Sequence, residues 1–380
     1  MNIQSKLPNI GTNIFSVMSA LANEHQAINL SQGFPNYNPD EALQLLVSKY
    51  MREGANQYAP MPGVLALREQ LALKTKVLYE VEIDPVSEIT ITAGGTQAIF
   101  TAITACVRAG DEVILIEPAY DCYRPAVELC GGIPIVYELL APDFKIDWQA
   151  FRQCISDKTR LIVLNTPQNP SATIWTADDM IELQNCVTNT DILLLSDEVY
   201  EHLIFDAQRH ESVLRYPELK KRAFVTYSFG KTYHATGWKS GYCIAPSAMM
   251  NEFRKVHQFN VFSVFSPVQY ALADYLQIPE HYLQLPTFYQ QKRDFFASAM
   301  AKSRFRLLPS QGTYFQLADY SQISDMSDLN FCKYLTTEHK VAAIPVSAFY
   351  SSGLDQKIIR FCFAKTEDVL TSAANVLCKV

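Results

Sequence analysis

Between about residues 88 and 245 the chain alternates short apolar runs with longer stretches whose apolar residues recur at helical spacing. The runs EITITA (88–93), EVILIE (112–117), IPIVYE (133–138), RLIVLN (160–165), DILLLSD (191–197), AFVTYS (223–228) and GYCIAP (241–246) are rich in β-branched and aliphatic residues, which predicts strands. Several are apolar at consecutive positions, so both faces are expected to be buried, as in a mainly parallel sheet covered by helices. Of the intervening segments, TQAIFTAITACVRAG reads as a helix closed by Gly110. TADDMIELQNCVTN reads as one capped by Thr176, with Asp178 and Asp179 in its first turn. The pattern is that of a layered α/β domain.

After residue 285 the pattern changes. PTFYQQKRDFFASAMAKS (286–303) predicts a helix, RLLPSQGTYFQLADY a strand pair, SDLNFCKYLTTEHK a helix, and Ile358 to Phe363 a strand before a final helix. The expected organisation is a large domain over 37–285 and a smaller α+β domain from 286–380 with an N-terminal arm, 1–36. The lobes are expected to meet through the helical region around 248–300. In the arm, IFSVMSALA (14–22) follows Lys6 and imitates a secretory signal. Ser16 and Ser19 interrupt it, and Ile14, Val17, Met18 and Leu21 fall on one helical face behind Thr12 or Asn13 as N-cap. An amphipathic helix and a cytoplasmic protein are expected instead.

Composition narrows the function classes. The 380 residues are 48% hydrophobic and only 19% charged, enough for large cores and against disorder. A net charge of −7 without a Lys/Arg run gives no footprint for nucleic acid. No apolar run is long enough to span a membrane. Nine scattered cysteines, without a C-x-x-C, read as reduced thiols rather than disulfides or a metal site.

In open α/β sheets functional groups gather at the carboxyl ends of strands, so the residues after each strand carry the chemistry. GGTQ (94–97) opens a helix and is either a phosphate cup or a tight turn. Tyr120, in PAYDCY, is either a ring cover for a flat heterocycle or packing. Asn169, before a proline, can bond a ring oxygen or hold its loop. Asp197 follows an almost wholly aliphatic strand, where a buried carboxylate needs a cation. Lys231, in SFGK, is a solvated loop charge or an amine for covalent chemistry, which Lys239 can help tune. Together these describe one ligand, pyridoxal 5′-phosphate: an anion cup, a ring cover, a ring-oxygen donor, an acid for the pyridine nitrogen and an amine for the aldehyde.

The ordered set N-P (169–170), D-E-V-Y (197–200), S-F-G-K (228–231), G-W-K-S-G-Y (237–242) and R-F-C-F (360–363) resembles the class I/II aminotransferases of pyridoxal-phosphate fold type I. The resemblance runs from S-Q-G-F-P (31–35) to Arg360. NPSAT, the S-F-G-K-T-Y-H-A-T-G-W-K run and Y-D-C-Y look most like the bacterial methionine-type branch, with kynurenine and glutamine transaminases close behind. Ala172 stands where many relatives carry glycine or another small turn residue, and reads as a mark of that branch. The resemblance implies fold type I, with a mainly parallel seven-stranded sheet in the large domain. It also implies Lys231 as Schiff-base lysine and proton carrier, and Asp197 at the pyridine nitrogen. Asn169 and Tyr200 would bond the ring oxygen, with Tyr120 and Val199 on the two ring faces. Gly95, Thr96, Gln97, Ser228 and Lys239 would hold the phosphate, Gln97 through its backbone or side chain. Arg360 would clamp the substrate carboxylate, with the Gly33 amide as a second donor. Tyr58 would reach the phosphate of a neighbouring subunit, which implies a homodimer with shared sites.

The activity so implied is transfer of an amine from an uncharged bulky L-amino acid, methionine or aromatic, to a 2-oxo acid by a ping-pong mechanism. A β-lyase acting on cystathionine or cysteine conjugates, or a kynurenine/glutamine transaminase, is the alternative on the same scaffold. A non-enzymatic regulatory module is disfavoured by the absence of a basic N-terminal domain. The aromatic cluster FNVFSVFSP (259–267) is open to two readings, pocket lining or lobe interface. Arg124 is the one candidate for a second, side-chain-binding arginine.

Overall fold

The computed structural model describes residues 3–380. All seven predicted strands form: β1 (Ile89–Thr92), β2 (Glu112–Glu117), β3 (Ile133–Glu138), β4 (Thr159–Asn165), β5 (Leu193–Asp197), β6 (Ala223–Ser228) and β7 (Gly241–Ile244). They make one sheet in the order β1-β7-β6-β5-β4-β2-β3. β7 runs antiparallel to both its neighbours; the other pairings are parallel. Alternate residues enter two separate cores, Val113, Leu115, Leu161 and Val163 on one face and Ile114, Ile116, Ile162 and Leu164 on the other. This two-sided burial is why the strands read as continuous apolar runs. From β2 the chain steps outward to β3 and then back across to β4, β5 and β6, so the direction of winding reverses between β2 and β4. Loops diverge at such a switch point and leave a crevice outside the carboxyl ends.

A second sheet, four-stranded and antiparallel, contains β8 (Arg306–Leu307), β9 (Phe315–Asp319), β10 (Ile344–Pro345) and β11 (Ile358–Cys362) in the order β10-β11-β9-β8. Arg360 lies on its central strand β11, paired with Leu317 and Ile344. A two-residue parallel pair, Ile28–Asn29 with Val341–Ala342, ties the N-terminal segment to this part of the chain.

Helix α1 (Ile14–Glu24) is capped by Asn13, whose side chain accepts from the Ser16 amide at 2.8 Å. Its buried side is centred on Met18 and Ala22, while Val17 is left exposed, so the inward face is rotated from the one expected. Helix α2 (Gly94–Cys106) takes in the glycines of GGTQ, which form its first turn rather than a preceding loop. It ends at Cys106, not at Gly110, because Val107 adopts extended backbone. Gly110, at φ +89°, donates instead to the Gly131 carbonyl of the adjoining loop. The region 248–300 is not one long helix. It breaks into Ser247–Asn260, Ser266–Tyr275, Glu280–Leu283 and Leu285–Ala299, with prolines in the first turns of the second and last. Among the described residues no helix is long and apolar enough to cross a membrane, and the nine cysteines are free.

Thr176 caps the helix Ala177–Val187 as its sequence predicts. Its hydroxyl accepts from the Asp179 amide at 3.2 Å and the Asp179 carboxylate accepts from the Thr176 amide at 2.9 Å. Thr176→Ala should therefore lower unfolding free energy by about 1 kcal/mol, read as a reduced denaturant midpoint at unchanged slope, and Thr176→Ser should restore most of it.

Candidate active site

Segments following β2, β4, β5 and β6 converge with the start of α2 and with β11 on a cavity of about 690 Å³. Every residue predicted for the site borders it except Gln97 and Tyr58.

One wall is the amino end of α2. Gly94 holds φ +79°, and a side chain on Gly241 of β7 would lie 2.5 Å from the Tyr227 carbonyl oxygen and 3.0 Å from the Gly94 carbonyl carbon. The missing side chain lets the first turn of α2 sit directly on the sheet. The first amides of a helix have no partners within it and carry its positive pole, so this turn presents donors to an anion. Thr96 Oγ1 lies 3.2 Å from the Tyr120 hydroxyl, and Ser228 and Lys239 complete the rim. Gln97, one residue further around the helix, turns its side chain away. Its Oε1 accepts from the Ala93 amide at 2.9 Å and its Nε2 donates to Thr101 Oγ1 at 2.6 Å. Only its backbone remains for an anion.

The polar floor is built on the ends of β4 and β5, where Asn165 and Asp197 sit side by side in register. Asp197 is buried; its Oδ2 accepts from the Tyr123 hydroxyl at 2.6 Å and its Oδ1 from the Val199 amide at 3.3 Å. Burial pushes its pKa up to about 6 against these two bonds. Asn165 Nδ2 donates to the Asp197 carbonyl at 2.8 Å, and its Oδ1 accepts from the Asn169 amide at 2.8 Å. Tyr123 and Asn165 are absent from the predicted set. The signal for Asn165 is a polar residue ending the aliphatic run RLIVLN, the same feature that singles out Asp197. Tyr123 follows Tyr120 at a spacing of three, too common a pattern to stand out.

Lys231 lies in a single helical turn, α3 (Phe229–Thr232), directly after β6. Its amine donates to the Tyr314 hydroxyl at 3.0 Å and to the Gly33 carbonyl at 3.3 Å. Burial lowers its pKa to about 8, helped by the charges of Arg360 and Lys239 and opposed by Asp197 and Cys362. Tyr200 is buried beside it, its ring edge-on to that of Tyr314 at 5.2 Å.

Arg360 is fully buried. Its Nη1 donates to Asn169 Oδ1 at 2.5 Å and its Nη2 to the Ser31 carbonyl at 3.2 Å, while Nε has no partner. The guanidinium lies 3.8 Å from the ring centre of Phe315. Among the described residues no carboxylate comes within 4.0 Å of its nitrogens, so it is not held in a salt bridge. Burial lowers even this pKa, to about 10. Arg124 is held between Glu117 and Glu128, each at 3.5 Å, and does not border the cavity.

The cluster at 259–267 is split: Val264, Ser266 and Pro267 are buried, Val264 in the main core. Phe259, Phe262 and Phe265 are exposed and none borders the cavity. Tyr58, 82% exposed, packs its ring edge against Phe262 at 5.5 Å and so belongs to this outer patch rather than to the site of its own chain.

The family model for aminotransferase class I and II matches residues 25–377. The methionine aminotransferase of Escherichia coli K12 is 54% identical over 375 residues, covering 98% of this chain and 97% of that protein. A kynurenine–oxoglutarate transaminase of Dictyostelium discoideum is 32% identical, covering 97% and 94%. A crystal structure from E. coli, described as identifying a methionine aminotransferase function, superposes with a TM-score of 0.98 at 53% identity, over the whole of both chains. Such a match along nearly its entire length means that the chain belongs to the class I and II aminotransferases, enzymes whose fold type I scaffold implies pyridoxal 5′-phosphate.

Proposed function

We propose that the protein moves the amine of methionine, or of another uncharged bulky L-amino acid, to a 2-oxo acid in two alternating half-reactions, with pyridoxal 5′-phosphate held in the cavity. The observation that carries this reading is Arg360, a buried guanidinium with no carboxylate partner and an unbonded Nε. A charged group so placed is costly unless a ligand anion completes it, and the planar fork fits a carboxylate. Arg124, the second arginine that a dicarboxylate would need, is already paired. The cavity also takes Ile10, Phe15 and Phe100 into its wall, apolar surface suited to a thioether or an aromatic ring. The 54% identity to a methionine aminotransferase supports methionine as donor.

The residues fit the cofactor by the chemistry of their donors. The first turn of α2 with Thr96, Ser228 and Lys239 suits a phosphate, and the buried Asp197 suits a protonated ring nitrogen. Asn169 and Tyr200 suit the ring oxygen, and Tyr120 and Val199 its faces. When bound, pyridoxal phosphate supplies an aldehyde that bonds amines and a ring that draws electrons from the substrate Cα. Lys231 Nζ is the amine that would hold that aldehyde, the carbonyl oxygen leaving as water. Freed by the incoming amine, Lys231 would take the substrate Cα proton on Nζ, the C–H electron pair staying on the substrate side, and would then give that proton up from Nζ as an acid. Its depressed pKa keeps a usable fraction of free amine near neutral pH.

The reading includes a second copy of the chain over Tyr58, Phe259, Phe262 and Phe265, an exposed aromatic patch of the kind that marks an interface. It also includes the division into 37–285 and 1–36 with 286–380, supported by the two separate sheets. A reducing compartment such as the cytoplasm suits nine free cysteines.

The test is the visible spectrum of the purified enzyme. A band from covalently held cofactor should bleach with excess methionine and be missing in Lys231→Ala. A band indifferent to methionine would discard the substrate, and a protein that takes up no cofactor would discard the reading. Pyruvate and ammonia formed from cystathionine without any oxo acid would favour the lyase chemistry. Arg360→Lys should lower kcat/KM for methionine by about two orders of magnitude, roughly 3 kcal/mol, through loss of the bidentate fork. Because the free amine is the nucleophile, cofactor uptake by the apoprotein should accelerate about tenfold per pH unit below 8 and level off above it, following the lowered pKa of Lys231.

A further inference from the structure

Tyr314 precedes β9 and has no exposed surface. Its hydroxyl is bonded twice. It donates to the Gly33 carbonyl at 2.6 Å and lies 3.0 Å from Lys231 Nζ. A hydroxyl has one proton, and here the short bond to Gly33 takes it, so toward Lys231 the oxygen can only accept. The Gly33 carbonyl, 3.3 Å from the same nitrogen, is likewise an acceptor. A neutral lysine amine has two N–H bonds and one lone pair. With both N–H bonds directed at acceptors, the lone pair is confined to the one remaining tetrahedral direction. Lys231 and Gly33 border the cavity and Tyr314 does not, so the phenol holds the amine from behind, out of reach of a substrate.

The ring is fixed in turn. Tyr200 and Phe315 pack edge-on against it at 5.2 and 4.9 Å, and Tyr289 lies tilted at 5.8 Å. Burial raises the Tyr314 pKa well above that of a free phenol, so it stays a neutral hydroxyl. The other groups acting on the Lys231 amine are Asp197, Arg360, Lys239 and Cys362, and none of them is hydrogen-bonded to it.

We infer that Tyr314 is a positioning residue for proton transfer: with the Gly33 carbonyl it orients the free amine of Lys231 so that its lone pair, not an N–H bond, meets the substrate Cα. The inference rests on the reading of Lys231 as the proton carrier, and goes beyond it by naming what aims the nitrogen.

The test is Tyr314→Phe, which keeps the ring and removes the acceptor. In the apoprotein, the pH dependence of Lys231 acylation by a small reagent, followed by mass spectrometry, gives the amine's titration midpoint. Losing an acceptor for the ammonium should lower that midpoint by about one unit. In the holoenzyme, single turnover with methionine should slow about tenfold, and Cα-deuterated methionine should show a larger isotope effect than in the wild type, because proton transfer becomes more rate-limiting. Cofactor affinity and denaturation midpoint provide the control for a structural defect. Should Tyr314→Phe not fold, 3-fluorotyrosine at position 314, a weaker acceptor of nearly the same shape, should move both quantities in the same directions by less. An unshifted midpoint together with an unchanged isotope effect would overturn the assignment of Tyr314. A wild-type enzyme with neither cofactor on Lys231 nor any isotope effect would overturn the reading beneath it, and the two failures are told apart by that wild-type control.

Discussion

Three ionisable groups, Lys231, Asp197 and Arg360, are buried around one cavity without forming salt bridges to one another, and the rest of the structure is arranged to tolerate that. Taking a charge out of water costs on the order of several kcal/mol even after relaxation. Each group is therefore held by neutral dipoles instead: Tyr123 and the Val199 amide on Asp197, Tyr314 and the Gly33 carbonyl on Lys231, Asn169 and the Ser31 carbonyl on Arg360. These contacts set orientation and leave charge available for a ligand, a use of stability in favour of function.

Holding such groups requires a stiff frame, and the end of β5 supplies one. Asp197 points toward the cavity, while Glu198 turns to the opposite side of the strand end. There Glu198 accepts from Ser196 Oγ at 2.9 Å, the Val213 amide at 3.1 Å and Tyr227 at 3.1 Å, and lies 2.8 Å from His210 Nε2. Glu201, one turn on, is bonded to Lys74, Tyr79 and Tyr242. Behind the site, then, the buried Glu201 is paired with a cation, Lys74; within it, Lys231, Asp197 and Arg360 meet neutral dipoles only. That contrast, more than any single residue, separates the scaffold from the working surface.

The two sheets divide the labour. The parallel sheet brings Asn165, Asp197 and Lys231 together because its strands end in register at the switch point, and α2 adds its amino end because Gly241 lets it approach. Arg360 arrives from the antiparallel sheet, and Phe15 and Gly33 from the N-terminal segment. The cavity thus lies where three stretches of chain far apart in sequence meet.

The seven strands were legible because burial on both faces forces unbroken aliphatic runs, and the residues just past them because a polar group there interrupts such a run. Lys231, Asp197, Asn169 and Arg360 stand out by position and order alone. Local pattern could not say which way a side chain turns. Gln97 folds back on its helix, the aromatic residues near 259–267 face outward, and Val17 stays exposed, because each orientation depends on neighbours distant in the chain. Tyr123 and Tyr314 carry no mark in sequence, since their roles consist of hydrogen bonds to residues 74 and 83 positions away. Sequence determined the strands and the kinds of groups at their ends; tertiary structure alone decided which of those groups are left without a charged partner, because a missing counter-charge is a property of everything packed around them.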